Sequence, residues 1–145
     1  MYLVYILQSH NCSYIGMTND FFRRWQQHNG ILQGGAKYTK KYNDWLPICI
    51  IDGFETKREA MQCEWRLKRV KGYLQRIKYL SNILHNELQW TTKSPFIKQQ
   101  NITIYFSEIV SSLRTIRINS ELFPENIHPT TKCNDIIFIF ISLSL

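Results

Sequence analysis

Five residues in the first half of the chain have side chains suited to cutting a phosphodiester. Such hydrolysis requires an activated water, stabilisation of the negative charge that builds up on the phosphate oxygens, and assistance to the leaving group. A magnesium ion that keeps most of its waters needs only one or two protein carboxylates. The five residues are Tyr5, Tyr14 (in Tyr14-Ile15-Gly16), Arg24, His28 and Glu64, and Glu64 is the candidate metal ligand.

The predicted elements bring four of these side chains towards one place. Residues 2–8 and 13–18 read as the strands of a hairpin, so the phenols of Tyr5 and Tyr14 could converge. Residues 21–28 read as a helix on which Arg24 and His28, four positions apart, share a face. Arg24 could hold two phosphate oxygens, and His28 could accept a proton or orient the phosphate.

Each of these residues also has an ordinary structural role. Tyrosine is favoured in strands, an arginine can lie on a solvated helix face, and a histidine can simply end a helix. Glu64 could form an exposed i,i+4 pair with Lys68. A tyrosine with a pKa near ~10 is a poor base unless a metal ion or a cation lowers that pKa. Which tyrosine takes the proton stays open.

The remaining pattern predicts an α+β fold, with a small sheet of about three strands packed against helices. Residues 47–54 read as the third strand. The capping-box pattern Thr56-x-x-Glu59 begins a helix that extends to about Arg69, and residues 73–88 read as another helix. We expect one domain over residues 1–90, which carries the five candidate residues and ends with this last helix. We expect an extension of unknown order over residues 91–145.

The extension contains weaker signals. Residues 102–106 look like a strand, 109–116 are ambiguous, and 119–135 look like a loop. The apolar run 136–141 is much shorter than the roughly 20 residues of a membrane-spanning helix. We expect it to form a buried strand or a poorly ordered tail, or an exposed edge that pairs with a second copy of the chain. No membrane partner is expected.

Charge points towards a polyanionic partner. The chain has a formal net charge of +7, and residues 1–90 hold 13 Lys/Arg against 7 Asp/Glu. In the loop 30–46, lysines that could hold phosphates alternate with aromatic side chains that could stack on unpaired bases; a solvated loop is the alternative. A second basic cluster follows Glu64. The residues expected to bind nucleic acid are Arg23, Lys37, Tyr38, Lys40 and Lys41.

Cysteine usage and the N-terminus indicate the cellular compartment. The four cysteines show no zinc-site spacing and are expected to be reduced thiols of an intracellular protein. The N-terminus has no basic segment of the kind that begins a signal peptide. We therefore expect an intracellular protein, and the sequence does not decide between a nuclear and a viral or cytoplasmic location.

Taken together, these residues resemble the GIY-YIG nuclease superfamily. The second triplet is intact, whereas the first reads Leu3-Val4-Tyr5 in place of the usual Gly-Ile-Tyr. Further segments are similar to the small catalytic subunits of Slx-type structure-selective endonucleases. They are Tyr14–Thr18, Arg23–Gly30, Gly34-Gly35-Ala36-x-x-Thr39, Gly53-Phe54 and Cys63-Glu64-Trp65.

The resemblance implies a Mg²⁺- or Mn²⁺-dependent endonuclease of DNA repair and recombination that acts on branched DNA such as flaps, forks and junctions. It implies that Tyr5 or Tyr14 lies near the attacking water, Arg24 on the phosphate and Glu64 on the metal. Two alternatives remain: a catalytically silent DNA-binding module, and a homing- or restriction-like nuclease acting on intact duplex.

One departure concerns the partner subunit. Cellular members of the resembled family carry a zinc-binding RING-like domain that contacts a scaffold protein, and only Cys133 follows residue 63 here. A scaffold partner is therefore in doubt, and we hypothesise a viral, mobile-element or truncated form. A zinc domain encoded directly downstream, among ordinary cellular genes, would contradict this hypothesis.

Overall fold

The structure is a computed structural model that describes residues 1–107 in full and, of the remainder, the backbone of residues 126–133 and 136–144. The described residues form six strands and three helices, together with two short 3-10 helices over Lys37–Lys41 and Ile97–Gln99. In chain order the main elements are β1 (Tyr2–Ser9), β2 (Cys12–Thr18), α1 (Phe21–His28), β3 (Leu46–Phe54), α2 (Lys57–Leu67), α3 (Tyr73–Asn86), β4 (Thr103–Ser107), β5 (Asn126–Cys133) and β6 (Ile136–Ser144).

The strands form one antiparallel sheet in the order β2-β1-β3-β4-β6-β5. The α+β class is confirmed, but the sheet has more strands than the three predicted. The loop prediction for residues 119–135 is wrong for β5. This strand contains Pro129 and lies at the edge of the sheet, where a proline is tolerated because one side of the strand needs no partner. The ambiguous segment 109–116 lies outside the described residues.

The apolar run 136–141 belongs to β6, which has neighbours on both sides. Its backbone pairs with β4 on one side and with β5 on the other. The prediction of a strand is therefore confirmed, and the expectation of an exposed edge open to a second copy is wrong. The proposed domain boundary at residue 90 stays a prediction, although β4 lies beyond it and pairs with β3.

The two faces of the sheet carry different clusters of buried side chains. Successive residues of a strand point to opposite faces, and β1 shows this clearly. Val4 and Ile6 belong to the larger core, on the side of α2 and α3, whereas Tyr5 and Leu7 pack with Trp25 of α1. The side of α1 is therefore the side of Tyr5, whereas Glu64 belongs to α2, which packs on the other face.

Two of the helices, α1 and α2, begin where their capping residues predict. Asp20 accepts a hydrogen bond from the backbone N–H of Arg23 at the start of α1. Thr56 and Glu59 form the reciprocal capping box of α2. Both α2 and α3 end two residues earlier than predicted, a difference usual for fraying helix ends. None of the helices in the described part of the chain is long and apolar enough to cross a membrane.

Candidate active site

The two tyrosines converge because of the register of the hairpin. Tyr5 lies opposite Gly16, and Tyr14 lies opposite Leu7. Since alternate residues share a face, Tyr5, Tyr14 and Gly16 lie on the side of α1. The ring centroids of Tyr5 and Tyr14 are 6.4 Å apart, as expected for neighbouring strands. Tyr5 is 1% exposed, whereas Tyr14 is half-buried.

Gly16 leaves the space that the Tyr5 phenol occupies. A Cβ atom built on Gly16 would overlap the Tyr5 hydroxyl and lie 2.6 Å from Tyr5 Cζ and 3.1 Å from Tyr14 Cε1. Both aromatic rings are packed, so neither can move aside freely. Gly16, the glycine of Tyr14-Ile15-Gly16, therefore leaves the room that the Tyr5 hydroxyl needs.

We expect Gly16→Ala to lower the free energy of unfolding by about 1–3 kcal/mol, in the range of an overpacked core. The substitution should also displace the Tyr5 hydroxyl. Chemical denaturation measures the loss, and the double variant Tyr5→Phe/Gly16→Ala is the control, because it removes the nearest clashing atom. Its destabilisation should be smaller than the sum of those of the single variants. Strict additivity would contradict the steric account.

A chain of hydrogen bonds fixes the tautomer of His28. Thr39 Oγ1 donates to the carbonyl of Ala36 at 2.9 Å. Its one proton is thereby used, so the 2.9 Å contact between His28 Nδ1 and Thr39 Oγ1 has Nδ1–H as the donor. His28 Nε2 then carries the lone pair, and the Tyr5 hydroxyl donates to it at 2.7 Å. The imidazole is oriented to receive the proton of Tyr5.

The protonation states of this pair follow from burial. Burial of the phenol raises the pKa of Tyr5, and nearby Tyr14 and Glu64 add to this effect, whereas Arg24 opposes it through a hydrogen bond and its charge. Burial and the Arg24 charge lower the pKa of His28 to about 4. At neutral pH the pair therefore consists of a protonated phenol and a neutral imidazole, as the hydrogen bonds require.

Arg24 lies next to the pair with its charge uncompensated. Its Nη1 donates to Gln27 Oε1 and to the carbonyl of Gly34, both at 2.9 Å. Within residues 1–107, no carboxylate forms an ion pair with it. Gly35 lets the loop approach α1, because a Cβ atom there would overlap the carbonyl of Gln27. A guanidinium bound only to neutral oxygens is well suited to take a phosphate.

Glu64 lies on α2, and its carboxylate is the smallest of the influences on the raised pKa of Tyr5. Its side chain is 18% exposed and accepts a hydrogen bond from Lys68 Nζ at 2.7 Å. The i,i+4 pair considered from the sequence is therefore present. The pair with Lys68 uses Glu64 Oε1, and Glu64 Oε2 has no ion-pair partner in the described residues.

These residues fit a metal that takes few protein ligands. The described part of the chain contains no group of three or more His, Cys, Asp or Glu side chains that could hold a metal ion. A partly buried carboxylate with one oxygen outside any ion pair of the described residues suits a Mg²⁺-like ion that completes its shell with water and substrate oxygens. Glu64 is the residue that would hold it.

The residues expected to bind nucleic acid lie around this centre. Arg23, Lys37, Tyr38, Lys40 and Lys41 are all exposed. Lys41 Nζ lies 3.8 Å from the centre of the Tyr38 ring, and that ring stacks on Tyr14 with centroids 6.2 Å apart. A cavity of about 860 Å³ beside His28 is also lined by Lys40 and Lys41. The basic loop thus borders the candidate catalytic residues.

Thr39 is a neighbour of the candidate site that the sequence does not single out. It is fully buried and comes from the 3-10 helix Lys37–Lys41. The sequence signal for it is its place in the segment Gly34-Gly35-Ala36-x-x-Thr39, which by itself indicates no role for the threonine.

Comparison with known proteins identifies the family. Residues 1–79 match the family described as the GIY-YIG catalytic domain. The chain is 44% identical over 68 residues to a "structure-specific endonuclease subunit slx1" of Schizosaccharomyces japonicus, covering 44% of this chain and 25% of that relative. It is 41% identical over 68 residues to the protein of that name from Malassezia globosa, covering 45% and 15%. For Talaromyces marneffei the identity is 41% over 71 residues, covering 48% and 18%.

The chain thus matches at most a quarter of the length of these relatives. The matched family region spans more than half of the chain and contains the two tyrosines, Arg24, His28 and Glu64. The resemblance stated from the sequence is therefore confirmed, and the chain belongs to the GIY-YIG family of catalytic domains.

Proposed function

We propose that the protein is a DNA endonuclease that hydrolyses phosphodiesters at branched structures such as flaps, forks and junctions. The observation that carries this proposal is the Tyr5–His28 hydrogen bond beside the uncompensated Arg24 charge. A proton-transfer pair next to a phosphate-binding cation is what hydrolysis of a phosphodiester requires.

In the proposed mechanism, Arg24 seats the phosphate that is to be cut. Water attacks in line with the leaving oxygen, and its proton passes to the Tyr5 oxygen as the Tyr5 proton passes to His28 Nε2. Thr39 keeps His28 in the tautomer that can accept. The bound phosphate, being negative, opposes the effect of Arg24 on the pKa of His28 and so makes the imidazole a better base.

Catalysis in this family depends on a metal ion, and we propose Mg²⁺ or Mn²⁺ as that ion. Held by Glu64, it would supply positive charge for the phosphate and assistance to the leaving group. Arg24, Tyr5 and His28 keep the roles described above.

The preference for branched DNA is supported by the names of the relatives, which are called structure-specific endonuclease subunits. The same preference is supported by Tyr38, which is 47% exposed and has a ring that can stack on an unpaired base. Because the relatives are named as subunits, we propose that a partner subunit modulates the protein. We also propose that it acts on DNA inside the cell. All five candidate catalytic residues nevertheless lie on this one chain.

The test compares four labelled substrates that share arm sequences: a matched duplex, a flap, a replication fork and a four-way junction. We expect the purified chain to cut the branched substrates with Mg²⁺ or Mn²⁺, to leave the matched duplex uncut, and to be inactive in EDTA. Equal cutting of the matched duplex would favour a homing- or restriction-like nuclease. Binding without cutting of any substrate would favour a catalytically silent DNA-binding module.

A further inference from the structure

A second cavity, with a basic lining, lies next to Tyr14. Its volume is about 550 Å³, and it lies between the β1–β2 hairpin and the turn that joins α2 to α3. Lys68, Lys71 and Arg76 line it, and no acidic side chain does. Lys68 is ion-paired with Glu64 at 2.7 Å, so Lys71 and Arg76 are the lining cations that no carboxylate pairs with among residues 1–107. Two such cations around a concave surface favour an anionic ligand.

Arg76 is the buried member of this group. It is 9% exposed, its Nε donates to the carbonyl of Val70 at 2.7 Å, and its Nη1 donates to Ser13 Oγ at 2.7 Å. Both acceptors are neutral, and within residues 1–107 no carboxylate forms an ion pair with Arg76. A buried charge without a counter-ion is destabilising, and an anion in the cavity would offset that effect.

The start of α3 adds to the positive potential of the same cavity. Gly72 lines the cavity, precedes the helix with φ 85°, and offers no side chain to cap the free N–H groups of the first turn. No acidic residue lies in that turn. The helix dipole and the charges of Lys71 and Arg76 therefore act in the same direction.

Tyr14 connects this cavity to the candidate active site. Its ring lies 4.7 Å from the ring of His28 and 6.4 Å from that of Tyr5, between centroids. The same side chain lines the cavity together with Tyr38. The cavity therefore borders a residue of the candidate site. Because phosphates follow one another along each DNA strand, one strand can present one phosphate to Arg24 and another to the cavity.

We propose that the cavity lined by Lys68, Lys71 and Arg76 binds a phosphodiester of the DNA strand close to the bond that is cut. This inference rests on the proposed function and names a second phosphate subsite for it. The subsite fixes the position of the strand, and Arg24 remains the residue on the reacting phosphate.

Lys71→Ala is the informative variant, because Lys71 is exposed and its loss should leave the fold intact. Lys78→Ala is the matched control, since Lys78 is an exposed lysine of α3 outside the cavity lining. Binding of the full chain to a fluorescent flap substrate is measured by anisotropy in EDTA across a series of salt concentrations. We expect Lys71→Ala to weaken binding severalfold and to reduce the salt slope by about 1, and Lys78→Ala to do neither.

Substrates with one neutral methylphosphonate identify the phosphate concerned. At one position near the cut, the substitution should weaken wild-type binding at least as much as Lys71→Ala does, and it should weaken binding of the Lys71→Ala variant by clearly less. Additive losses at every position would overturn the subsite.

The two proposals fail in different ways. A wild-type chain that neither binds nor cuts DNA would overturn the proposed function and the subsite with it. A wild-type chain that cuts DNA, with Lys71→Ala and Lys78→Ala indistinguishable in affinity and salt slope, would overturn the subsite alone.

Discussion

Replacing Arg24 by alanine, or Glu64 by glutamine, should lower the rate of DNA cleavage by about 10³-fold, the effect of removing one group that stabilises charge in a transition state. Binding of flap and junction DNA should stay within a few-fold of wild type, because many phosphate contacts contribute to affinity. Arg24 donates only to neutral oxygens, so its charge is available to the phosphate. Single-turnover cleavage with Mg²⁺, together with anisotropy in EDTA, separates the two effects.

Exposed residues of the same types serve as controls. Arg58→Ala and Glu55→Gln change the same charges at positions that are solvent-exposed in the structure. Both should cut at the wild-type rate. If Arg24→Ala or Glu64→Gln also cuts at the wild-type rate, the assignment of the site fails.

Tyr5→Phe should lower cleavage by about 10²–10⁴-fold, the usual contribution of a positioned proton-transfer group. Tyr14→Phe should lower the rate of cleavage by less than about tenfold. Each variant removes one oxygen atom from neighbouring rings 6.4 Å apart, which makes them a matched pair. They differ because Tyr5 donates its proton directly to His28 Nε2. Single-turnover rates at saturating enzyme report the chemical step.

The opposite ranking would be equally informative. If Tyr14→Phe loses as much activity as Tyr5→Phe or more, the proton does not leave through the Tyr5–His28 pair. Thermal unfolding of both variants must accompany the rates, because Tyr5 is buried and Tyr14 is half-buried.

The parts of the site that follow local rules were predictable from the sequence. The span of α1 follows from its capping residue and from the Asn29-Gly30 end. The alternation of strand residues places Tyr5 and Tyr14 on one face once the hairpin is recognised. Arg24 and His28 share a helix face through their spacing. In each case the residues are close in sequence, so the regular geometry of the helix or hairpin nearly fixes their relative positions.

The contacts between distant segments were not predictable in the same way. Thr39 reaches His28 from a short 3-10 helix inside a glycine- and lysine-rich loop that has no hydrophobic period. Arg76 reaches Ser13 across 63 positions of sequence. The sequence of β5 does not predict a strand, because Pro129 and several polar residues are atypical of strands. Its backbone pairing with β6 at the sheet edge is a contact between separate segments of the chain. The catalytic and DNA-binding roles of the predicted residues stay predictions until they are assayed.

The ion pair between Lys68 and Glu64 has a consequence for how two ligands would influence each other. Lys68 Nζ occupies one oxygen of the candidate metal-binding carboxylate, and the same side chain lines the second basic cavity. A cation on Glu64 would release Lys68 towards a phosphate, and a phosphate would draw Lys68 away from Glu64. The two affinities would then be thermodynamically linked, each ligand raising the other's by the same factor. Equal Mn²⁺ affinities in calorimetric titrations with and without uncleavable DNA would show that the two sites are independent.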